Sequence, residues 1–511
     1  MLSQHRFSCF YVPFVVLAIC RIVISQSNNY NGDTTRSSSS SSSSSASYDF
    51  EYLDSDMKDS IAYWGVRGAS IAFFDKNSMT EPIVRGYGHM ASSNTSPMVT
   101  PDTAFMLASV SKVFTATAVL KLIDLGILST LDDDICDVLP SSMSNTTACR
   151  NPHYPNIPVT WRMFLTHRTS FHGDVPYYVT NDGDELEAGY APTGGYFGMA
   201  AGQTSCPMED VRGFYRDILI DKESETIVGK NLGINWYDVA QEQLGGMWRS
   251  KAAPGEDVVY SNFAVGYVAA LVEWALIKDQ SRTSRNGSGQ QPSASFANFS
   301  RQYIFEPLGM HNTSWFQRDL PSNVQVAMPV EPTNFRQTRF EDVGYYCFID
   351  YASGSLFSTA ADLAKFLSSM LNYGVPALWS DPAIGHRALN CLEHNVKGQL
   401  VRKGCEFGAN WILFKTEADE DWVEPYKVYN WTDGAHHDGS EAGVQTQILV
   451  LPKAGVFAVV LTNTDENDGW AAQMMAMEML ESIYDSGSTR TGGLFAVLWS
   501  TSMIMSLLWW S

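Results

Sequence analysis

The sequence predicts an α/β fold in which strands from both ends of the chain share one sheet and helices fill the region between them. Residues 71–74 and 82–87 have the composition of two short strands separated by a polar turn. Residues 446–451 and 456–462 are two further β-rich runs, and the turn residues 452–455 join them into a hairpin. Because helical patterns separate the two pairs of strands, we expect one sheet built from distant segments, with a helical insertion in the middle.

Helical spacing of apolar residues marks the region between and after these strands. Residues 113–125 carry such spacing and stop at Gly126, a predicted helix C-cap. A second helix is predicted to begin around Asn262. Residues 359–362, with the sequence Thr-Ala-Ala-Asp, resemble a capping box that opens a third helix, and residues 470–484 form a final amphipathic pattern.

The N-terminal region is predicted to lie outside the folded domain. Residues 1–25 resemble a secretory signal peptide, since Arg6 precedes the apolar run 7–20 and small or polar residues follow. A membrane anchor that is retained is the alternative, although the apolar stretch is short and interrupted. Residues 26–47 are polar and include nine consecutive serines at 37–45. Such a segment has too little apolar surface to fold, and we interpret it as a flexible linker.

The C-terminal region resembles the signal for a lipid anchor. After a predicted folded domain at residues 48–485, small residues at 486–488 precede a brief polar spacer and the mostly apolar run 494–510. This order is typical of a glycolipid-anchor signal, whose tail at 486–511 is removed. A C-terminal helix that remains in the membrane is the alternative. The signal-peptide pattern at the N-terminus and the anchor-signal pattern at the C-terminus together predict passage through the secretory pathway to an extracellular or cell-surface location.

Composition and charge limit the classes of molecule that the protein is expected to bind. The chain has 511 residues of which 45% are hydrophobic, enough for a sizeable core. Its net charge of −21 argues against nucleic acid or an anionic membrane surface as a partner. No clustered His or Cys spacing indicates a metal site, and no motif indicates a cofactor.

The cysteines fit an oxidising compartment. Removal of residues 1–25 leaves an even set, namely Cys136, Cys149, Cys206, Cys347, Cys391 and Cys405. We expect Cys136–Cys149 and Cys391–Cys405 to pair because they close short loops, and Cys206–Cys347 by elimination. Glycosylation sequons at Asn94, Asn145, Asn286, Asn298, Asn312 and Asn430 fit the same route.

The first of three short motifs is Ser-Val-Ser-Lys at residues 109–112. Ser109 and Lys112 are three residues apart at the start of a helix, so their side chains share one face. Apolar neighbours remove the lysine side chain from water, which favours its neutral form. The neutral amine can then act as a base toward the serine hydroxyl. A capping serine beside a solvent-reaching lysine is the structural alternative for an isolated motif.

The second motif is Tyr-Ser-Asn at residues 260–262, just before a predicted helix. Tyr260 there is suited to aim its phenol beside Lys112 and to carry a proton between Ser109 and a leaving group. We expect Asn262 to orient the substrate carbonyl and Lys112 through hydrogen bonds. A packing tyrosine followed by a helix-capping asparagine is the alternative.

The third motif is His-Asp-Gly at residues 437–439, which precedes the late hairpin and is predicted to form an edge strand lining a cleft. Gly439 permits close backbone approach, and the N–H of Ser440 is a candidate oxyanion donor. His437 is predicted to bind substrate or to tune Tyr260, whereas His436 should face the opposite side of the strand. A solvated loop histidine is the alternative.

In this order the motifs resemble those of the serine β-lactamase-like family, which includes class C β-lactamases, D-Ala-D-Ala carboxypeptidases and related esterases. Further similar stretches are residues 159–170, 303–315, 353–362 and 447–463, so the resemblance covers about residues 65–484. It implies an α/β sandwich, with an antiparallel sheet flanked by helices on both faces and a helical subdomain inserted. The active site would lie between sheet and subdomain.

The resemblance also implies roles for individual residues. Ser109 matches the family's nucleophile, Lys112 its lysine and Tyr260 its tyrosine base. Asn262 matches the last position of the Tyr-x-Asn motif, while His437 and Gly439 match the Lys/His-x-Gly strand. His437 departs from the lysine of true class C β-lactamases and resembles the peptidase and esterase branches instead.

These roles imply a secreted or surface-anchored serine hydrolase that acts through an acyl-enzyme on a small ester or amide. A D-Ala-D-Ala peptidase or β-lactamase is one alternative, and a non-catalytic surface binding protein is another. Asp438 stands where the family often has Thr or Gly, and a carboxylate facing the cleft would disfavour anionic substrates. Asp438 can also point away from the cleft, but His437 in place of a lysine still leaves fewer cationic groups for an anionic substrate. We therefore expect neutral short-chain esters to be better substrates than penicillins or D-Ala-D-Ala peptides.

Overall fold

The computed structural model describes residues 50–144, 146–174, 177–179, 185–187, 211–220, 235–283, 294–334, 337–346, 348, 350–392, 405–414, 434–465 and 471–487. The segments predicted as signal peptide and linker lie outside these ranges, as does the predicted C-terminal tail from residue 488 onward. Residues 486 and 487 of that tail belong to the last described helix. Cys206, Cys347 and the sequons at Asn145, Asn286 and Asn430 also lie outside the described ranges. Among the described residues, no helix has both the length and the apolar character needed to span a membrane.

Most of the strands belong to one sheet. In chain order the strands are β1 Gly68–Asp75, β2 Ile83–Gly88, β3 Ala104–Met106, β4 Tyr177–Val179, β5 Glu185–Glu187, β6 Val330–Pro332, β7 Phe340–Asp342, β8 Phe357–Thr359, β9 Ile412–Leu413, β10 Ala435–Glu441, β11 Val444–Leu451 and β12 Val456–Thr462. The main sheet has the order β2-β1-β12-β11-β10-β9, and all its neighbours are antiparallel. The expectation of one sheet built from distant segments is confirmed.

The described helices lie before, between and after the strands. In chain order they are α1 Phe50–Trp64, α2 Ser111–Asp124, α3 Trp161–Leu165, α4 Val211–Leu219, α5 Trp236–Leu244, α6 Asn262–Thr283, α7 Phe296–Ser300, α8 Ala360–Met370, α9 Pro382–Leu389 and α10 Ala471–Gly487. The predicted starts of α6, α8 and α10 are each within one or two residues of these bounds. Gly126 follows α2 with φ +69°, the left-handed conformation of a helix C-terminus.

The sheet carries a layer of helices on each face. Side chains alternate along β1, so Ile71 and Phe73 face the core formed with α1 and α10. Ala72 faces the larger core on the other side, where Phe366 of α8 packs. The α/β sandwich that the resemblance implies is therefore observed. Helix α2 belongs to the larger core and is buried on nearly all sides, which explains why its sequence lacks a polar face.

Two of the three expected disulfides are present in the described residues. Cys136 and Cys149 have Cα atoms 5.2 Å apart, and those of Cys391 and Cys405 are 6.0 Å apart. Both separations lie within the range that a disulfide bridges. The two predicted short-loop pairings are confirmed.

The capping box at α8 is only half formed. Thr359 accepts a hydrogen bond from the N–H of Asp362, as predicted. The Asp362 carboxylate, however, accepts from the N–H of Asn312 and from the hydroxyl of Thr313. The Asp362 carboxylate therefore connects α8 to the loop at Asn312 and Thr313 through hydrogen bonds, because a buried carboxylate needs several donors.

Candidate active site

Ser109 lies in a tight turn that leads directly into α2. A 3₁₀ turn covers Ala108–Val110, and Ala108 has φ +47°, a conformation that costs a non-glycine residue about 1–2 kcal/mol. Ala108 and Val110 are completely buried, whereas Ser109 is half-buried. The strained turn therefore holds the Ser109 side chain at the surface of the core, one helical turn before Lys112.

Lys112 is completely buried and points its ammonium at Ser109. Its Nζ lies 2.7 Å from Ser109 Oγ and donates to the carbonyl oxygen of Ser353 at 2.8 Å. Burial lowers the pKa of Lys112 to about 8, although nearby carboxylates act in the opposite direction. About a tenth of the amine is therefore neutral and able to accept a proton at pH 7, and about half is neutral at pH 8.

Tyr260 covers the other side of Lys112. The Nζ of Lys112 is 4.9 Å from the centre of the Tyr260 ring. The residue as a whole is 40% exposed, but its hydroxyl end is buried against Ser109. Burial raises the pKa of Tyr260, and the charges of nearby carboxylates raise it further, while the hydrogen bond with Ser109 acts in the opposite direction. The phenol is therefore protonated at neutral pH, and Lys112 is the group more ready to accept a proton.

Asn262 does not hydrogen-bond Lys112, contrary to expectation. Its side-chain Nδ2 donates to Asp174 at 2.8 Å. The position opposite Lys112 is taken instead by the backbone carbonyl of Ser353, just before β8. Since an aspartate only accepts when ionised, it orients the amide so that Asn262 Oδ1 points away from it. That oxygen is buried and has no hydrogen-bond partner among the described residues.

Strand β10 borders Ser109, as predicted. Beyond its short pairing with β9 at residues 435–436, its outer edge is not paired with a described strand. Gly439 is packed so closely that an added Cβ would lie 2.5 Å from the carbonyl of Leu107 and 2.9 Å from the N of Ser109. Only glycine fits this contact.

The N–H of Ser440 faces the same edge. A two-residue turn joins β10 to β11, so Glu441 and Val444 form a hydrogen-bonded pair. Hydrogen-bonded pairs alternate along an antiparallel ladder, which leaves the N–H of Ser440 directed outward. The backbone N–H groups of Ser109 and Ser440 are thus available to one oxyanion.

His437 faces the site and is neutral. It is 1% exposed, and its ring centre lies 6.5 Å from that of Tyr260. Its Nδ1 is 2.6 Å from the carbonyl oxygen of Asp438; because a carbonyl only accepts, Nδ1 carries the proton. Burial lowers the pKa of His437 to about 4, which leaves Nε2 unprotonated. As predicted, His436 lies on the opposite face, where it stacks on Phe414.

Asp438 faces away from the cleft. Strand alternation places it on the same side as His436, opposite His437 and Gly439. Of the two orientations that the sequence left open for Asp438, the structure has the one that faces away from the cleft. Glu441 lies on the cleft side instead, because it is an even number of residues from both His437 and Gly439.

Carboxylates nevertheless dominate the electrostatics of the site. The largest charge effects on Lys112 come from Glu441, Asp350, Asp174 and Asp438, in that order. Asp350 is buried behind Ser353, whose hydroxyl donates to it at 3.0 Å. Burial raises the pKa of Asp350 to about 6.

Three contributors to the site were not singled out from the sequence. Ser353 and Asp350 act on Lys112 from a segment more than two hundred residues away in the chain. His167 is buried against Tyr260, with ring centres 4.5 Å apart. His167 and Ser353 lie in stretches that carry the family resemblance, but nothing in their local sequence indicates a role at the site.

Comparison with known proteins extends these observations. The sequence profile of the family described as Beta-lactamase matches residues 57–476. Penicillin-binding protein 4 of Amycolatopsis lactamdurans is 24% identical over 406 residues, which make up 78% of this chain and 81% of that protein.

Solved structures share the fold. The D-amino acid amidase from Ochrobactrum anthropi SV3 has a TM-score of 0.53 at 18% identity, covering 86% of this chain and 99% of the amidase. A class C beta-lactamase from Rhodobacter sphaeroides has a TM-score of 0.51 at 17% identity, covering 84% of this chain and 99% of the lactamase. At sequence identities this low, the structural similarity shows a shared fold and nothing further.

Proposed function

The chain belongs to the beta-lactamase family of serine hydrolases, and from that premise we propose that it hydrolyses a small ester or amide through an acyl-enzyme on Ser109. One observation carries the proposal: the hydroxyl of Ser109 lies 2.7 Å from the amine of a completely buried lysine. A desolvated amine next to a serine hydroxyl is an activated nucleophile. Burial of a lysine amine costs free energy of desolvation, and a protein that only binds a ligand has no need of it.

In the proposed mechanism Ser109 Oγ attacks the substrate carbonyl and its proton passes to the neutral amine of Lys112. The N–H groups of Ser109 and Ser440 hold the oxyanion. Tyr260 relays the proton from Lys112 to the leaving alcohol or amine, and the C–O or C–N bond breaks to give the acyl-enzyme. Water then adds to the ester carbonyl, which releases the acid and restores Ser109.

A panel of substrates tests this function. Purified protein is incubated with neutral p-nitrophenyl esters, amino-acid amides, a cephalosporin and a D-Ala-D-Ala peptide, and intact mass is recorded during turnover. We expect hydrolysis of at least one ester or amide and an acyl adduct that maps to Ser109. Absence of turnover and of any adduct across the panel would favour a non-catalytic binding protein.

A peptidase or β-lactamase acting on D-amino-acid substrates is the second candidate. The similarity to Penicillin-binding protein 4 and to a D-amino acid amidase favours it. Hydrolysis of the D-Ala-D-Ala peptide in preference to the esters would select this candidate.

We expect neutral esters to be turned over better than substrates with a carboxylate beside the scissile bond. Glu441 faces the cleft, and two carboxylates about 5 Å apart repel by about 3 kcal/mol at an effective dielectric constant of about 20. With kcat/KM measured on the alkaline plateau, above the pKa of Lys112, Glu441→Gln should raise the value for a cephalosporin or a D-Ala-D-Ala peptide about tenfold or more. It should leave the value for a neutral ester little changed there.

Asp438→Asn is the matched control, since it removes the same charge from the opposite face of β10. It should have the smaller effect on anionic substrates. An equal gain from both substitutions, or a wild-type preference for carboxylate-bearing substrates, would contradict this account.

We also propose that the protein matures in the secretory pathway and reaches the cell surface on a lipid anchor. The two disulfides support an oxidising compartment, and the sequon residue Asn94 is exposed. Phosphatidylinositol-specific phospholipase should release the protein from membranes of the expressing cell. Protein that stays bound and retains Trp509 and Trp510 by mass spectrometry would favour a membrane helix instead.

A further inference from the structure

His167 has a conformation that its own sequence does not explain. It follows α3, is 1% exposed and has φ +53°. The left-handed region costs a non-glycine residue about 1–2 kcal/mol, so neighbouring contacts must hold it there.

These contacts converge on Tyr260. The backbone N–H of Val259 donates to the carbonyl of His167 at 2.8 Å, and the N–H of Ser261 donates to its Nδ1 at 3.2 Å. Between these two hydrogen bonds, the imidazole lies against the Tyr260 ring at 4.5 Å with an interplanar angle of 30°. Phe407 packs edge-on against the imidazole at 5.0 Å. His167 thus holds the residues on both sides of Tyr260 as well as its ring.

The imidazole is neutral. Because Nδ1 accepts from a backbone N–H, the proton of the neutral ring is on Nε2. Burial lowers the pKa of His167 well below its usual value, and the positive charge of protonated Lys112 lowers it further. His167 therefore stays uncharged while Lys112 titrates, and it does not compete for the proton of Ser109.

We propose that His167 is a positioning residue, which clamps Tyr260 against Lys112 and Ser109 and keeps water from that face of the phenol. This inference rests on the proposed hydrolase function. It explains how a tyrosine that is 40% exposed keeps its hydroxyl at the nucleophile. Geometric control of this kind matters because a misplacement of about 1 Å costs about 10²-fold in rate.

His167→Asn is the decisive variant. Asparagine tolerates positive φ, and its Oδ1 keeps an acceptor for the N–H of Ser261, but the ring is lost. We expect kcat for a neutral ester to fall by about 10–10²-fold with KM little changed. Water should also reach Lys112, so the midpoint of the pH–kcat/KM profile should move upward from about 8.

Phe164→Leu is the control for general damage to the core. Phe164 is completely buried in α3 and packs on Phe171 and Tyr267 rather than on Tyr260. It should lower the thermal midpoint while leaving kcat and the pH midpoint near those of the wild type. A His167→Asn enzyme with wild-type kcat and pH midpoint would overturn the proposal.

His167→Phe provides the second reading if the asparagine variant does not fold. It keeps a ring against Tyr260 and removes the acceptor, so kcat should fall about tenfold; an unchanged kcat would also overturn the proposal. Failure of the underlying function is distinguishable, because the wild-type enzyme itself would then neither turn over esters nor form an adduct on Ser109.

Discussion

Replacing Ser109 with alanine is expected to abolish ester turnover and covalent labelling by a fluorophosphonate probe, with the fold retained. Among the serines that the structure describes, Ser109 is singled out by the amine at 2.7 Å and by the phenol on its other side. Its half-buried side chain is small, so its loss should change the free energy of unfolding by no more than about 1 kcal/mol. Activity-based labelling read by gel fluorescence and peptide mapping measures the first effect, and a denaturant titration measures the second.

Ser111→Ala is the matched control for this prediction. Ser111 is completely buried, and its hydroxyl accepts a hydrogen bond from the N–H of Leu356 at 3.0 Å. Its loss should therefore lower stability by about 1–3 kcal/mol and leave labelling intact. Labelling that persists in the Ser109→Ala variant, on Ser111 or on any other serine, would reject Ser109 as the sole nucleophile.

Replacing Lys112 with alanine is expected to lower kcat/KM by at least the ~10²–10⁴-fold that the loss of a general base typically costs. The reaction needs the neutral amine, and protonation removes its ability to accept the proton of Ser109. Since burial lowers the pKa of Lys112 to about 8, wild-type kcat/KM should rise with pH and reach half its plateau near pH 8. A pH–rate profile with a neutral ester measures this.

Two further variants distinguish the loss of the amine as a base from the loss of the packing that the Lys112 side chain provides. Lys112→Met keeps most of the buried stem without the amine, and should be as inactive as the alanine variant while losing less stability. Lys112→Arg keeps a cation that does not deprotonate in the accessible pH range, and should be inactive throughout it. Unchanged activity in the methionine variant, or a flat profile across pH 8 in the wild-type enzyme, would refute the role of Lys112.

Local patterns in the sequence were sufficient for the outline of the fold. Runs of β-favouring residues bounded by turn residues placed β1, β2, β11 and β12. Helical apolar spacing placed α2, and a capping pattern placed the start of α8, each within a few residues. These features depend on neighbours two to four residues apart, which the sequence shows directly. The same reasoning put His436 and His437 on opposite faces of β10, as observed.

Proximity in the chain also predicted the Ser109–Lys112 contact and two disulfides. Ser109 and Lys112 meet because three residues make almost one helical turn, which the sequence shows directly. The pairs Cys136–Cys149 and Cys391–Cys405 close short loops, so their encounter was expected as well.

The sequence by itself therefore determined the fold class, the contact between Ser109 and Lys112, and the strand that borders them. Only the tertiary structure decided what surrounds them. It paired the Asn262 amide with Asp174, and it placed His167 under Tyr260. It also gave the Lys112 amine the Ser353 carbonyl as its partner. The physical reason is that these contacts join residues 88 to 241 positions apart in the chain, so they depend on how whole helices and strands pack rather than on any local pattern.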